Sequence, residues 1–389
     1  MTHPRVAGAA PASIASILRT RRVVVCCGTG GVGKTTTAAA LAIQGARDGR
    51  RAVVVTIDPA KRLAQTLGLE HLSNTAHEID RARWDVDATA VDGGHLHALM
   101  LDAESTFDDL VRQYAHDEEQ ASRILGNGFY RNIAGSLSGT QEYMAMEKLY
   151  ELHATGDFDL IVVDTPPTRH ALDFLDAPRR LTRLLDNRIF RLLMTPARAG
   201  FRVGTVAAQA FLRTIARVVG TEVIDDVLAF FRAFEGMEDG FRTRANEMLT
   251  LLGSDESAFV LVTSPRHDAV VEATYFADRL AEGSLAVEAL VVNRVHPRYP
   301  GARPDVLRAR AGELRAAGAA EEGAVPDDAV ALAAQYENLA DLEELAIREE
   351  RELHGLEARI GTVAVAHVPE LAHDVHDFDA LRAVATHLV

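Results

Sequence analysis

The sequence predicts an α/β protein built on a doubly wound, mainly parallel sheet with helical insertions. Three observations lead there. Short apolar runs rich in β-branched residues recur along the chain, with helical patterns between them. Runs that are apolar at every position, rather than at every second one, mark strands buried on both faces of a parallel sheet. The first run passes directly into a glycine-rich turn and then a strong helix former. Finally, 389 residues of which 48% are hydrophobic can bury a large core, as one domain with insertions or as several smaller ones.

In chain order the strands read as VVVCC (23–27), AVVVTID (52–58), HLHALMLD (95–102), FDLIVVD (158–164), AFVLVTS (258–264), LAVEALVVNRV (285–295) and TVAVAHVP (362–369). A single domain of residues 1–389 then has its core strands at about 22–102, 158–177, 258–296 and 362–389. Ligands of such sheets sit at the C-terminal ends of the strands. Two long helical stretches, about 103–155 and 178–252, interrupt the rhythm as an inserted subdomain. A third, about 303–358, is expected to pack on the core. Its stripe of Leu339, Leu342, Leu345, Leu353 and Leu356 would face the sheet, with coiled-coil pairing as the alternative. The Ala/Gly-rich segment 311–328 reads as a loop.

Composition narrows the function. A formal charge of -15 argues against general affinity for nucleic acid, which requires basic surface to neutralise phosphates. The two cysteines, Cys26 and Cys27, are adjacent within an apolar run, so neither a disulfide framework nor a CxxC metal site is expected. They read as small core residues of a chain in a reducing cytoplasm. The N-terminal stretch is a short, broken apolar segment followed by arginines, and no run of 18 apolar residues occurs.

Residues 28–36 carry the strongest chemical signal. Gly28 and Gly33 with Lys34 and Thr35 satisfy the pattern GxxxxGK[ST], and the strand before and helix after supply its required context. Glycines let the successive N–H groups of Gly28, Thr29, Gly30, Gly31, Val32 and Gly33 face phosphate oxygens, and the helix N-terminus at Lys34, Thr35 and Thr36 adds positive potential. Lys34 reaches the terminal phosphates and the Thr35 hydroxyl binds Mg2+. The competing reading is a capped turn before an amphipathic helix. Asp164, closing FDLIVVD, suits a carboxylate acting on Mg2+ through water, or else caps the following segment. Asp58, closing the second strand, suits a residue that orients the attacking water, although Asp-Pro is also an ordinary helix start.

At these residues the sequence resembles the ArsA/Get-type ATPases, the arsenite-pump ATPases and the factors that deliver tail-anchored membrane proteins. GTGGVGKTTTAAALA, TIDPAKRLAQTLGL, FDLIVVDTPPTRHALDFL, VVNRVHP and VPELAHDVHDFDALRAV carry the resemblance, in the family's order, from residue 23 to about 385. It implies a P-loop NTPase that binds ATP and Mg2+ and works as a dimer. It places Lys34, Asp58 and Asp164 in catalysis and Thr35, Asp58 and Asp164 around the metal. Asp58 falls in the first switch, Asp164 to His170 in the second, and Asn293 and the loop at Pro369 near the adenine. On residue type alone, Asn293 could equally cap a strand end.

The departures from that family matter as much. Thr29 stands where the family carries a signature lysine that acts across the dimer on the partner's nucleotide. A symmetric homodimer is therefore expected to turn ATP over slowly unless Lys61, Arg62 or Arg169 compensates, and a heterodimer with a paralogous, lysine-bearing ATPase subunit is favoured. Pro166 and Arg169 replace a small residue and a glycine of the second switch, which stiffens it. The extra cysteines of the arsenite branch and the CxxC zinc clamp of the delivery factors are missing, which disfavours an anion-pump role and excludes a zinc-bridged homodimer.

The stretch 178–220 is crowded with arginines and apolar residues and holds a single acidic residue, Asp186. It reads as a helical subdomain with a plain core, as a groove for an apolar client helix, or as a membrane-surface contact. Met194, Phe201, Phe211, Phe230, Phe231 and Met237 would line such a groove. Two functions follow: an ATPase whose nucleotide state drives a helical, client-binding subdomain, or a catalytically weak subunit of a heterodimeric ATPase. Cargo positioning on membrane or DNA, as in MinD- and ParA-like proteins, is disfavoured by Thr29 and by the lack of a basic C-terminal amphipathic tail.

Overall fold

A computed structural model describes residues 13–57, 62–67, 69, 72–86, 91–128, 130–131, 140–166, 168–186, 226–227, 229–230, 233, 236–320 and 327–389. Helix α1 (Ile14–Thr20) leads into β1 (Val23–Gly28), α2 (Lys34–Arg47) and β2 (Arg51–Thr56). There follow α3 (Arg62–Thr66), β3 (His77–Ile79), α4 (Arg81–Trp84) and β4 (His95–Met100). Helices α5 (Ala103–Tyr114), α6 (Glu118–Leu125) and α7 (Thr140–Thr155) precede β5 (Leu160–Asp164) and the long α8 (Thr168–Asp186). The chain continues through α9 (Glu238–Leu252), β6 (Ser257–Thr263), α10 (His267–Glu282) and β7 (Val287–Val295). It ends with α11 (Pro304–Ala320), α12 (Asp327–Ile360), β8 (Ala364–Pro369) and α13 (Phe378–Thr386).

Among the described residues eight strands form one sheet in the order β3-β4-β2-β5-β1-β6-β7-β8. All pairs are parallel except β3 with β4. Each of the seven apolar runs is a strand of this sheet. The three-residue edge strand β3 has no counterpart among those runs, because a segment so short carries no periodicity. Every residue of β1, β5 and β6 is buried, as continuous apolar runs require. Alternation sorts their side chains: Val23, Val25 and Cys27 enter one core, Val24 and Cys26 the other. The first core is closed by α5 to α10 and the end of α12, the second by α1 to α4 and α13. This is the doubly wound arrangement.

Asp102 and Asp117 start α5 and α6 by accepting backbone N–H groups of the first turn, the ordinary chemistry of an N-cap. Arg244 of α9 binds Glu147 of α7 at 2.6 Å and lies 4.1 Å from the centre of the Tyr150 ring. Burial raises the Glu147 carboxyl above the usual range, while Arg244 pulls it back. The leucine stripe of α12 divides: Leu353 and Leu356 sit in the core under the sheet, whereas Leu342 is 41% exposed. The segment 311–328, expected to be a loop, is helical up to Ala320, because its alanines outweigh its glycines in propensity; 321–326 lie outside the described residues.

Of the stretch 178–220, residues 178–186 belong to α8, and 187–220 lie outside the described residues. So do Met194, Phe201, Phe211 and Phe231; Phe230 and Met237 are buried in the core. No described helix is long and apolar enough to cross a membrane.

Candidate functional site

The centre of the sheet brings the glycine loop and Asp164 together. Strand β1 pairs with β5 on one side and β6 on the other, so the loop leaving β1 emerges between their C-terminal ends. Its shape demands glycine at two places. A Cβ on Gly28 (φ 153°) would stand 2.0 Å from the Val262 carbonyl oxygen of β6. A Cβ on Gly33 (φ 93°) would stand 2.2 Å from the Asn293 amide nitrogen. Below about 3 Å no side chain fits without displacing the neighbour, and the left-handed backbone adds strain of its own.

Gly33 caps α2 with its backbone alone, leaving the first turn of the helix open toward the loop. Lys34, buried to 7% exposure, folds back across the loop so that its Nζ donates to the Thr29 carbonyl at 2.6 Å. One residue on, the Thr35 hydroxyl donates to Asp164 Oδ2 at 2.8 Å. Thr56 Oγ1 donates to the same oxygen at 3.0 Å, since β2 places Thr56 directly opposite Asp164. Asp164 itself is 1% exposed and held at the end of β5.

This donor set fits Mg2+. One hydroxyl and one carboxylate are hard oxygen ligands, too few for a protein cage and suited to an ion that keeps waters and brings phosphate oxygens with it. Thr35 and Asp164 would hold it. It would there neutralise charge on the transferring phosphate.

A cleft of about 380 Å³ opens above the loop, between Lys34 and Thr35 at one end and Asn293, Pro369 and His373 at the other. Asn293 sits in its wall with its amide already engaged: Nδ2 donates to the Val32 carbonyl at 2.9 Å. It thus clamps the glycine loop as well as facing the cleft. On the other side of residues 29–32 lies a second cleft of about 680 Å³, lined by Thr29, Ser264, Arg266 and His296. Thr29 is only 5% exposed. The segment leaving β7 is fixed to α12 by two glutamates. Glu349 accepts from the His296 N–H at 3.0 Å and faces its ring at 2.8 Å, and Glu343 accepts from Arg298 Nε at 2.9 Å.

Asp58 and Lys61 lie outside the described residues, and so do the side chains of Arg62, Arg169 and His170. The chain just before Asp58 is well anchored: the Ile57 N–H donates to the Asp164 carbonyl at 3.2 Å, and Gln141 donates to the Ile57 carbonyl at 3.1 Å. Thr165 of the expected second switch lines the cleft, and so do residues to which the sequence reading gave no role, among them Gln65, Arg294 and Glu370. Cys26 and Cys27 are buried, and burial pushes both thiols well above their usual range. They offer no reactive or metal-binding thiolate here.

A buried central strand, a glycine loop closing on a helix, and a lysine, a threonine and a carboxylate gathered at its foot define a protein of the α/β P-loop NTPase fold. Residues 21–313 match the family model described as Anion-transporting ATPase, and the chain belongs to this ArsA ATPase family. It is similar to ATPase get3 of Aspergillus terreus (strain NIH 2624 / FGSC A1156), with 26% identity over 294 residues, 75% of this chain and 78% of that protein. It is also similar to ATPase GET3 of Malassezia globosa (strain ATCC MYA-4612 / CBS 7966), with 29% identity over 187 residues, 47% of this chain and 51% of the other.

Proposed function

We propose that this protein binds Mg-ATP in the cleft above residues 28–36 and hydrolyses it, using the nucleotide state to move its helical layer. The observation that carries this reading is the contact between Thr35 and Asp164 beside Lys34, at the mouth of that cleft. On nucleotide binding Lys34 would exchange the Thr29 carbonyl for phosphate oxygens; Thr35 and Asp164 would hold Mg2+, which would supply positive charge beside the phosphates. Asp58, one residue past the anchored Ile57, orients the attacking water. Asn293 and the loop at Pro369 frame the base.

The protein works as a dimer in the cytoplasm, and its helical segments take up a hydrophobic protein client. Thr29 favours a second, narrower reading. This chain pairs with a paralogous ATPase subunit that supplies the cation it lacks, and alone it is a weak catalyst. Energising an anion pump through a thiolate site is disfavoured by the burial of both cysteines. The deciding experiment is calorimetric titration of Lys34→Ala with Mg-ATP. Charge-assisted contacts to phosphate are among the strongest of a polar site, so binding is expected to disappear while the circular dichroism spectrum stays unchanged. Undiminished affinity overturns the assignment.

A further inference from the structure

Arg294 and Ser284 are the non-glycine positions with a left-handed backbone among the described residues, at φ 62° and 61°. Ser284 follows Gly283, the residue that caps the end of α10, where such a backbone is an ordinary helix ending. Arg294 instead lies inside strand β7. Asn293 pairs with Val368 and Val295 with Pro369, so Arg294 is the extra residue of a bulge. Asn293 Oδ1 accepts the Arg294 N–H at 3.0 Å and fixes that turn. Glycine or asparagine would be the usual occupants of such a backbone. An arginine held there needs a reason in its side chain, and bulges beside binding sites characteristically re-aim one side chain.

The side chain has a place to act. It is 52% exposed and shares the walls of both clefts with Gly30, Gly31 and Glu370. Its ion pair with Glu370 is loose, at 4.0 Å. We propose that Arg294 is a second cation of the nucleotide site, contacting the phosphate chain from the solvent side of Gly30 and Gly31 while Lys34 holds it from within the loop. The proposal rests on the reading of the cleft as a nucleotide site. A guanidinium presents a planar fork that matches two phosphate oxygens, and at the open lip it keeps part of its hydration. Glu370 on the same lip repels the ligand, so the site favours anions that carry enough charge to draw Arg294 away from it. A triphosphate is therefore bound in preference to a diphosphate.

The test is titration of the full chain with Mg-ATP and Mg-ADP at two salt concentrations. Loss of one partly exposed charge-assisted contact is expected to weaken Mg-ATP binding by Arg294→Gln about tenfold, with a smaller effect on Mg-ADP and a flatter salt dependence. Arg294→Lys should recover part of the affinity. Arg294→Gly, which relaxes the backbone, should bind as weakly as Arg294→Gln without a lower melting temperature. Glu370→Gln should tighten Mg-ATP binding. Wild-type affinity in Arg294→Gln overturns the role of Arg294 alone, as does an equal loss in Arg294→Lys accompanied by a fall in melting temperature. A wild-type chain that binds no nucleotide overturns the reading of the cleft and this proposal with it.

Discussion

The Thr35 hydroxyl donates to Asp164 Oδ2 at 2.8 Å, joining the first turn of α2 to the last residue of β5. Two neighbouring elements thereby present one oxygen-rich corner, and Thr56 steadies it from β2. Asp164→Asn keeps the shape and an acceptor for both hydroxyls but removes the charge. Mg2+ should then no longer strengthen ATP binding, and turnover should fall by ~10² or more, as for loss of one charged group acting on a transferring phosphate. Calorimetry with Mg2+ and with a chelator checks the first part, phosphate release the second.

Gly33 and Asn293 are mutually fitted, since a Cβ at residue 33 would strike the Asn293 amide. Gly33→Ala is expected to cost roughly 2 kcal/mol or more through clash and left-handed strain together. Asn293→Ala loses the hydrogen bond to Val32, an effect on the order of 1 kcal/mol. The double variant should be more stable than the sum of the two losses, because one removes the other's obstacle. Additive losses in urea denaturation would show that the clash relaxes elsewhere.

Thr29 turns its backbone carbonyl to Lys34 and brings no charge of its own. The purified chain should bind ATP yet hydrolyse it slowly. Thr29→Lys should raise the rate by ~10 to 10³ in a homodimer, a discounted share of what an added cation contributes at a transferring phosphate. A fast unmodified chain that gains nothing from the lysine would mean that another cation already acts.

Asp58 follows directly on the anchored Ile57. If it orients water, Asp58→Asn should leave ATP affinity within about threefold while abolishing turnover, the signature of an interaction made in the transition state. Parallel loss of binding and turnover would mark a structural role.

Cys26 and Cys27 are buried and their thiols are shifted upward by burial. A raised pKa means less thiolate at any given pH, so the folded chain should react with a disulfide reagent far more slowly than a free thiol at pH 7 and at pH 9 alike. Labelling should instead follow global unfolding, rising steeply across the urea transition.

The central strands were legible because β1, β5 and β6 are buried on both faces and read as unbroken apolar runs. The glycine loop was legible because its spacing is fixed by backbone geometry. Thr56 was invisible: its place beside Asp164 depends on β2 and β5 being neighbours, which strand order alone decides. Arg294 was hidden for a related reason, because a bulge changes which way a residue points without leaving a mark in composition. The helix over 311–320 is hard to read from sequence, because Gly312 and Gly318 suggest a break where the surrounding alanines sustain the helix.

Helix α8 begins four residues after Asp164 and runs for 19 residues with Pro178 inside it. At 1.5 Å per residue it is a rod of about 28 Å, so a tilt of ~10° at its start sweeps its far end through about 5 Å. That far end is tied to α9 by Asp186, which pairs with Arg242 at 2.8 Å. Displacements at the carboxylate too small to disturb the sheet would reach the outer helices magnified, and the leverage comes from length alone.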